Sequence, residues 1–301
     1  MIVITGGAGV IGRALVQRLG AAGHAIRVLT LPGDPNASLV EQCGAEVRYG
    51  DVSAADDVAA LCDGAATVYH LAAVIIACDD RLYRKINVEG TRNVVEAAKK
   101  AGVQHFIHVS SASVVYPKPT PYSLSKRECE AIVRQSGVPF TIVRPTLVYD
   151  KRGGQEFDMF LAYLCGFPVV PFIGGGQAKK RPVFAGDVVE GLCSLHGKPV
   201  AYGKTYNFSG GEVVSMLALS RLCLKLMGKE RKPIVHLAVP VCVVLARLME
   251  RVMRRPPLRW PVIAGVTQDA DLDPSEAVRD LGFCPSPVSD KLPECFPRAL
   301  P

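Results

Sequence analysis

Tyr122 and Lys126 stand four residues apart in the stretch VSSASVVYPKPTPYSLSK, Val109 to Lys126. On a helix that spacing puts both side chains on one face. A lysine ammonium beside a phenol favours the phenolate, so the expected effect is a lowered tyrosine pKa. Such a phenol suits general acid or base work near neutral pH. The same stretch carries Ser110, Ser111 and Ser113. Ser111 follows an apolar run, Phe106 to Val109, and a hydroxyl at a strand end can hydrogen-bond a reacting hydroxyl or carbonyl oxygen. A Tyr-x-x-x-Lys pair alone is common on surfaces. Joined to strand-end serines, it describes proton transfer at an oxygen.

A second constellation is TGGAGVIG, Thr5 to Gly12. Gly7-x-Gly9-x-x-Gly12 fits the dinucleotide fingerprint, and Gly6-x-x-Gly9-x-x-Gly12 overlaps it. Glycines there serve a tight turn, close approach of backbone to a pyrophosphate, and packing of helix on strand. The anion then lies on a helix N-terminus. The expected cofactor-binding residues of this loop are Gly6, Gly7, Gly9, Val10, Ile11 and Gly12. An acid at the end of the next strand argues for NAD and an arginine for NADP. Thr30-Leu31-Pro32 supplies neither, and Asp34 reads as a turn residue. Discrimination is therefore expected to be modest, with NAD slightly favoured.

Both constellations need a scaffold that ends strands beside helix starts. Ile2 to Thr5, Ala25 to Leu31, Glu46 to Tyr49, Thr67 to Leu71, Phe106 to Val109 and Phe140 to Arg144 read as strands. Helices are expected from Ile11 to near Gly23, over Asp57 to Leu61, from Asn87 to Ala101 and from Ser123 to Gln135. This alternation, with strands apolar throughout, predicts an α/β fold with a doubly wound parallel sheet covered on both faces. Past Val148, Gly153-Gly154, Gly174-Gly175-Gly176 and several prolines mark loops. Tyr206 to Ser209 reads as a strand, Ser215 as the cap of a helix running to Met227, and Pro274 to Leu281 as a helix stopped by Gly282. Residues 1–149 are expected to form the dinucleotide-binding core, with 182–209 returning to it. Residues 150–181 and 210–301 are expected to form a smaller C-terminal substrate-binding lobe.

Composition is that of a globular protein: 301 residues, 49% hydrophobic, 21% charged. The net charge of +7 suggests an anionic small molecule, while nucleic acid is not expected without a lysine tract or an aromatic-basic stripe. Ten cysteines without CxxC or zinc spacing read as reduced thiols in a cytoplasm, and no metal site is expected. MIVITGG is already a strand, so no signal peptide is expected. No apolar run reaches the length of a spanning helix. Val239 to Arg255 is apolar with a basic end. Peripheral membrane contact through it is one reading. The favoured one is an amphipathic helix packed inward to close a pocket.

With these motifs the chain resembles the extended short-chain dehydrogenase/reductase family, the NAD-dependent epimerase/dehydratase group, over nearly its whole length. The resemblance implies a Rossmann-type fold and a homodimer formed through the helices around Asn87 and Ser123. It assigns catalysis to Ser111, Tyr122 and Lys126. Gly50-Asp51-Val52 matches the segment whose acid meets adenine, His70 to Ala73 the cofactor-flanking turn, and NVEGTRNV the helix supporting the site. Val143-Arg144-Pro145-Thr146 matches the strand end near the nicotinamide. Asp51, Val52, Leu71, Ala72, Ala73, Asn87, Pro145, Tyr122 and Lys126 thus join the cofactor set by resemblance. Asp187 and YNFSGGE, Tyr206 to Glu212, match landmarks of the second lobe. Substrate contacts are implied at Ser113, Leu147, Lys180 and Arg181, with a basic residue near Lys180 often meeting nucleotide phosphate.

The departures bear on the reaction. Counted from the strand the catalytic hydroxyl is Ser111; counted back from Tyr116 the position is Ala112, which leaves Ser110 and Ser113 as alternates. Ala112 and Ser113 replace the acidic pair of dehydratases, so elimination of water is not expected. Leu147 stands where the family often has an asparagine on a nucleotide-sugar, and Tyr149-Asp150 replaces Tyr-Gly. His70, His105 and His108 read as packed or surface histidines, and Trp260 as a loop anchor. Three functions follow, in order of expectation. The first is a sugar epimerase working by transient hydride transfer. The second is a net oxidoreductase of a hydroxyl or ketone on an apolar, sterol-like substrate. The third is a non-catalytic cofactor-binding assembly subunit.

Overall fold

The computed structural model describes residues 1–151, 154–253 and 256–296. The Gly153 loop position, Arg254 and Arg255 of the 239–255 segment, and the last five residues lie outside the described residues. Seven strands form one parallel sheet: β1 (Ile2–Thr5), β2 (Ile26–Thr30), β3 (Glu46–Tyr49), β4 (Thr67–His70), β5 (His105–Val109), β6 (Phe140–Pro145) and β7 (Lys204–Phe208). Across the sheet they run β7-β6-β5-β4-β1-β2-β3, every neighbouring pair parallel. Chain order reverses between β1 and β4, which opens a crevice beyond their carboxyl ends at Thr5 and His70. The architecture is the expected Rossmann-type α/β fold.

β1, β4 and β5 are buried at every position, because helices cover both faces of the sheet. β3 departs from the expectation of apolar strands. Its sequence EVRY is largely exposed, since it is the sheet edge and one side has no neighbour. The site-bearing helices are α1 (Val10–Ala21), α2 (Gly90–Lys100) and α3 (Pro121–Gln135). α2 is preceded by a wider π-helical turn over Tyr83–Glu89, so Asn87 sits on that turn and not on the regular helix expected from it. α3 starts at Pro121, earlier than expected. The Ser123 amide donates to Thr120 Oγ1 at 3.1 Å and the Thr120 amide to Ser123 Oγ at 2.8 Å, and Pro121 pre-sets the first helical residue.

After β6 come α4 (Gln155–Gly166), α5 (Ala185–Ser194), α6 (Met216–Leu226), α7 (Val239–Val252), α8 (Trp260–Thr267), α9 (Ser275–Leu281) and α10 (Val288–Cys295). α5 packs on α1 within the main core, and β7 completes that sheet. Tyr149, Phe157, Phe172, Met216 and Leu219 belong to a second apolar cluster away from the sheet. Ser215 caps α6 by accepting from the Ala218 amide at 3.0 Å, and Gly282 ends α9 at φ +69°.

α7 packs one face inward, as an amphipathic helix should, and leaves a second apolar face outside. Only Cys242 and Ala246 are buried, against Ile173 and Ile263, whereas Val241, Val244, Leu245, Leu248 and Val252 point outward. Val239 and Val243 pack at the edge of that cluster, and the remaining bulky apolar side chains lie on the outer face. All ten cysteines are free. Among the described residues no helix is long and apolar enough to cross a membrane.

Candidate active site

The glycine loop joins β1 to α1. Gly6 adopts φ +71°, and a Cβ there would lie 2.7 Å from the Ala72 amide nitrogen, so the loop and the turn after β4 meet at backbone distance. A Cβ on Gly12 would strike Gly6 O at 2.3 Å. Gly9 differs: it is exposed, and a Cβ there would meet only Gly6 O at 3.3 Å. Gly9 is also the N-cap of α1 and offers no side-chain cap, so the amides of Val10, Ile11 and Gly12 open onto the crevice. This cradle fits a dinucleotide pyrophosphate, with Gly9 the point of closest approach.

The flanking residues close around the same crevice. The Leu71 amide extends the β1–β4 pairing by donating to Thr5 O at 3.1 Å, which leads into Ala72 and Ala73. Asp51 and Val52 follow β3, with Asp51 Oδ1 turned back on the Ser53 amide and Val52 packed beneath Gly90. Pro145 ends β6. Asn87 is buried, and its amide is spent on the scaffold. It accepts from the Val74 amide at 2.8 Å and donates to Val74 O at 3.0 Å and Ser125 Oγ at 3.0 Å. Asn87 thus ties the loop after β4 to α3, one turn below Tyr122.

The catalytic candidates meet where β5 ends. Ser111 stands near enough to the Tyr122 phenol to favour its ionised form. It also accepts from the Ser113 amide at 3.2 Å and contacts Ser113 Oγ at 3.0 Å. Ser110 is turned away: it is buried, and its hydroxyl donates to Glu130 Oε1 at 2.7 Å. That carboxylate also takes two bonds from Arg144, at 2.8 and 2.6 Å, and one from Arg134 at 3.1 Å. Burial opposes the charge on Glu130, but Arg144, Ser110 and Arg134 together hold its carboxyl below the usual range. The network pins α3 to the ends of β5 and β6 and leaves Ser111 and Ser113 as the hydroxyls facing Tyr122.

Lys126 turns toward the end of β5. Its ammonium is buried and donates to Val109 O at 2.7 Å, and loss of solvent pulls its pKa down. Tyr122 stays partly accessible at its tip, yet protein rings it. That desolvation, followed by the negative charge of Glu156, raises its pKa, and Ser111 offsets only part of the rise. The chain's own residues therefore keep Tyr122 a protonated phenol at neutral pH.

Two residues with no place in the sequence reading belong to this site. Glu156, exposed in the first turn of α4, extends its negative charge to Tyr83, Tyr116 and Tyr122. Desolvation raises its carboxyl above the usual range, against the pull of Lys180. Arg13, one residue past the glycine loop, donates to Asn36 Oδ1 at 3.2 Å, beside the end of β2, and its buried Nε has no partner. It brings a cation to the edge where Thr30-Leu31-Pro32 offered none.

The expected substrate residues are dispersed. Leu147 packs into the second apolar cluster. Lys180 is buried, its ammonium donating to Gly265 O at 2.7 Å and to Gln268 O, and desolvation lowers its pKa to about 8. Those carbonyls end α8, so Lys180 caps a helix and turns no ammonium toward a substrate phosphate. Arg181 donates to Leu272 O at 3.2 Å. His70 bridges Thr5 Oγ1 at 2.7 Å and Thr91 Oγ1 at 2.9 Å inside the core, with His108 stacked on it. Trp260 anchors the rim by donating to Pro119 O at 3.0 Å.

Residues 2–209 match the model of the NAD dependent epimerase/dehydratase family. The chain belongs to that family. It is 28% identical to the 3 beta-hydroxysteroid dehydrogenase/Delta 5→4-isomerase of Mycobacterium tuberculosis, over 98% of this chain and 89% of that protein. It is 26% identical to the UDP-glucose 4-epimerase of Vibrio cholerae, over 80% of this chain and 79% of that protein. The solved UDP-glucuronic acid 4-epimerase of Bacillus cereus, in complex with UDP-glucuronic acid and NAD, superposes with a TM-score of 0.76 at 21% identity, covering 98% of this chain and 97% of that one. That likeness shows the shared fold. Family membership makes the chain an extended short-chain dehydrogenase/reductase that uses a nicotinamide dinucleotide.

Proposed function

We propose that this enzyme is a net oxidoreductase that interconverts a hydroxyl and a ketone on an apolar, sterol-like substrate. Lys180 carries the reading: the cation expected on a nucleotide-sugar phosphate is instead buried on Gly265 O and Gln268 O. Leu147, in the apolar cluster where the family often has an asparagine, supports the same choice, as does the similarity to a hydroxysteroid dehydrogenase over nearly the whole chain. Sugar epimerisation becomes the second reading.

In the reductive direction Ser111 Oγ and the Tyr122 phenol hold the ketone oxygen between them. Tyr122 gives its proton to that oxygen as the carbonyl carbon gains a hydride, and the alcohol forms. The dinucleotide, when bound, supplies the hydride. In the oxidative direction Tyr122 takes the proton back. Lys126 lies one helical turn behind the phenol and supports the end of β5 through Val109 O. Glu156 keeps the phenol protonated by placing negative charge in the cleft. Arg13, beside the end of β2, would bring a cation to the ribose end of a bound dinucleotide, so we infer that NADP is accepted as well as NAD.

The test is a panel of sterol ketones and UDP-sugars offered with NADH and with NADPH. Stoichiometric loss of nicotinamide absorbance with a sterol ketone is the expected outcome. Epimer formation from a UDP-sugar without net coenzyme turnover would return the reading to epimerase.

A further inference from the structure

The outer face of α7 is an apolar stripe with nothing of this chain upon it. Val241, Val244, Leu245, Leu248 and Val252 recur at helical spacing on one side of the helix. They are exposed, from 39% at Leu245 to 85% at Val252. Val235, 51% exposed on the strand that leads into the helix, extends the apolar surface. Arg247 and Arg251 fall along one flank of the stripe, one turn apart and exposed. Within the helix the two arginines face one acid, Glu250, which is itself engaged by Arg259 at 3.8 Å.

This helix stands at the rim of the active site. α8 packs against it and carries Arg259 and Trp260 at its start. Arg259 donates to Ala77 O at 2.7 Å on the loop after β4, and Trp260 to Pro119 O on the loop before Tyr122. A surface that seats α7 therefore lies beside the mouth through which an apolar substrate enters.

We propose that α7 docks the enzyme on the surface of an anionic lipid bilayer, its apolar stripe in the headgroup–acyl boundary and its flanking cations on the headgroups. Charge selects this occupant. A second copy of the face would bring the Arg247 and Arg251 pairs of both copies to one contact and repel, whereas an anionic leaflet is complementary. The apolar stripe and basic flank are the pattern of a helix that lies in the interface plane, and a helix of this length cannot span. The proposal goes beyond the oxidoreductase reading and stands or falls on binding alone.

The full chain is floated with vesicles of phosphatidylcholine and with vesicles containing about 30 mol% phosphatidylserine, a composition that gives the anionic surface its attraction for basic residues. It is expected to rise with the anionic vesicles and to be released by high salt. Val244→Glu with Leu248→Glu should lower partitioning by roughly tenfold or more, since charged residues are costly in the interface. Both sites are on the surface, so the circular dichroism spectrum and melting temperature should hold. Arg247→Glu with Arg251→Glu leaves the stripe intact and should abolish the preference for anionic vesicles. Absence of flotation, or flotation unchanged by Val244→Glu with Leu248→Glu, would overturn the proposal. So would a dimer in solution that those glutamates dissociate while vesicles bind neither form, because the stripe would then belong to a second copy.

Discussion

Replacing Tyr122 with phenylalanine removes one oxygen and leaves the ring in place. The structural cost is small. The ring keeps its tilted contact with Tyr83 at 6.0 Å, and Ser111 Oγ keeps Ser113 as a partner through its amide at 3.2 Å and its hydroxyl at 3.0 Å. The lost hydroxyl strands no buried partner, so stability should change by about 1 kcal/mol or less. The catalytic cost is large, because the only other hydroxyl on Ser111 is that of Ser113, an aliphatic alcohol and a far weaker acid than a phenol. Ser110 is committed to Glu130, and Lys126 donates to Val109 O. General acid–base assistance is worth ~10²–10⁴-fold, or roughly 3–5 kcal/mol of barrier, and turnover should fall by that much. The assay is steady-state reduction of the accepted ketone, with coenzyme affinity by calorimetry and melting temperature as controls. Coenzyme affinity should change little. Full turnover in a folded sample would refute the assignment of proton transfer to Tyr122.

Gly9→Val should fold normally, since Gly9 has an ordinary φ of −70° and an exposed Cα, yet bind NAD and NADP at least about tenfold more weakly because the side chain fills the pyrophosphate approach; unchanged calorimetric affinities would remove Gly9 from the cofactor site. Arg13→Ala should weaken NADP more than NAD, by about tenfold for a lost charge-assisted contact, and equal effects on the two would deny Arg13 a part in reading the ribose. Glu156 raises the Tyr122 pKa, so reduction should decline at high pH as the phenol ionises, and Glu156→Gln should move that decline to lower pH. A pH–rate profile with an unmoved alkaline limb would show that Glu156 does not act on the phenol.

The parts of the site legible in the sequence are those encoded by local spacing. The glycine loop sits between a strand and a helix, and its glycines are needed because a Cβ at Gly12 would collide with Gly6 O. Tyr122 and Lys126 share a helix face by their i, i+4 spacing alone. What escaped depends on partners far along the chain. Ser110 and Ser111 are neighbours of the same type, and only Glu130, twenty residues on, separates a structural hydroxyl from one facing the phenol. The Tyr122 pKa escaped too. Spacing gives Lys126 its direction on the helix, but desolvation and Glu156, a residue of another element, decide the sign. Arg13 is read as an ordinary helix residue until the loop after β2 brings Asn36 beneath it.

α7 shows why an apolar helix cannot be assigned to the core by its sequence. Its pattern VPVCVVLARLMERV has two faces able to be buried, and hydrophobicity alone favours the bulkier one. The structure buries Cys242 and Ala246 against Ile173 and Ile263, with Val239 and Val243 at the edge of the same cluster. Lys180 makes the complementary point about charge. A basic residue beside a glycine-rich loop reads as an anion site, but the α8 carbonyls at Gly265 and Gln268 need a donor, and the lysine supplies it. In both cases a local pattern fixes the residue type, and a partner on another element fixes where that residue is spent: α8 supplies the carbonyls for Lys180 and the surface against which Cys242 and Ala246 pack.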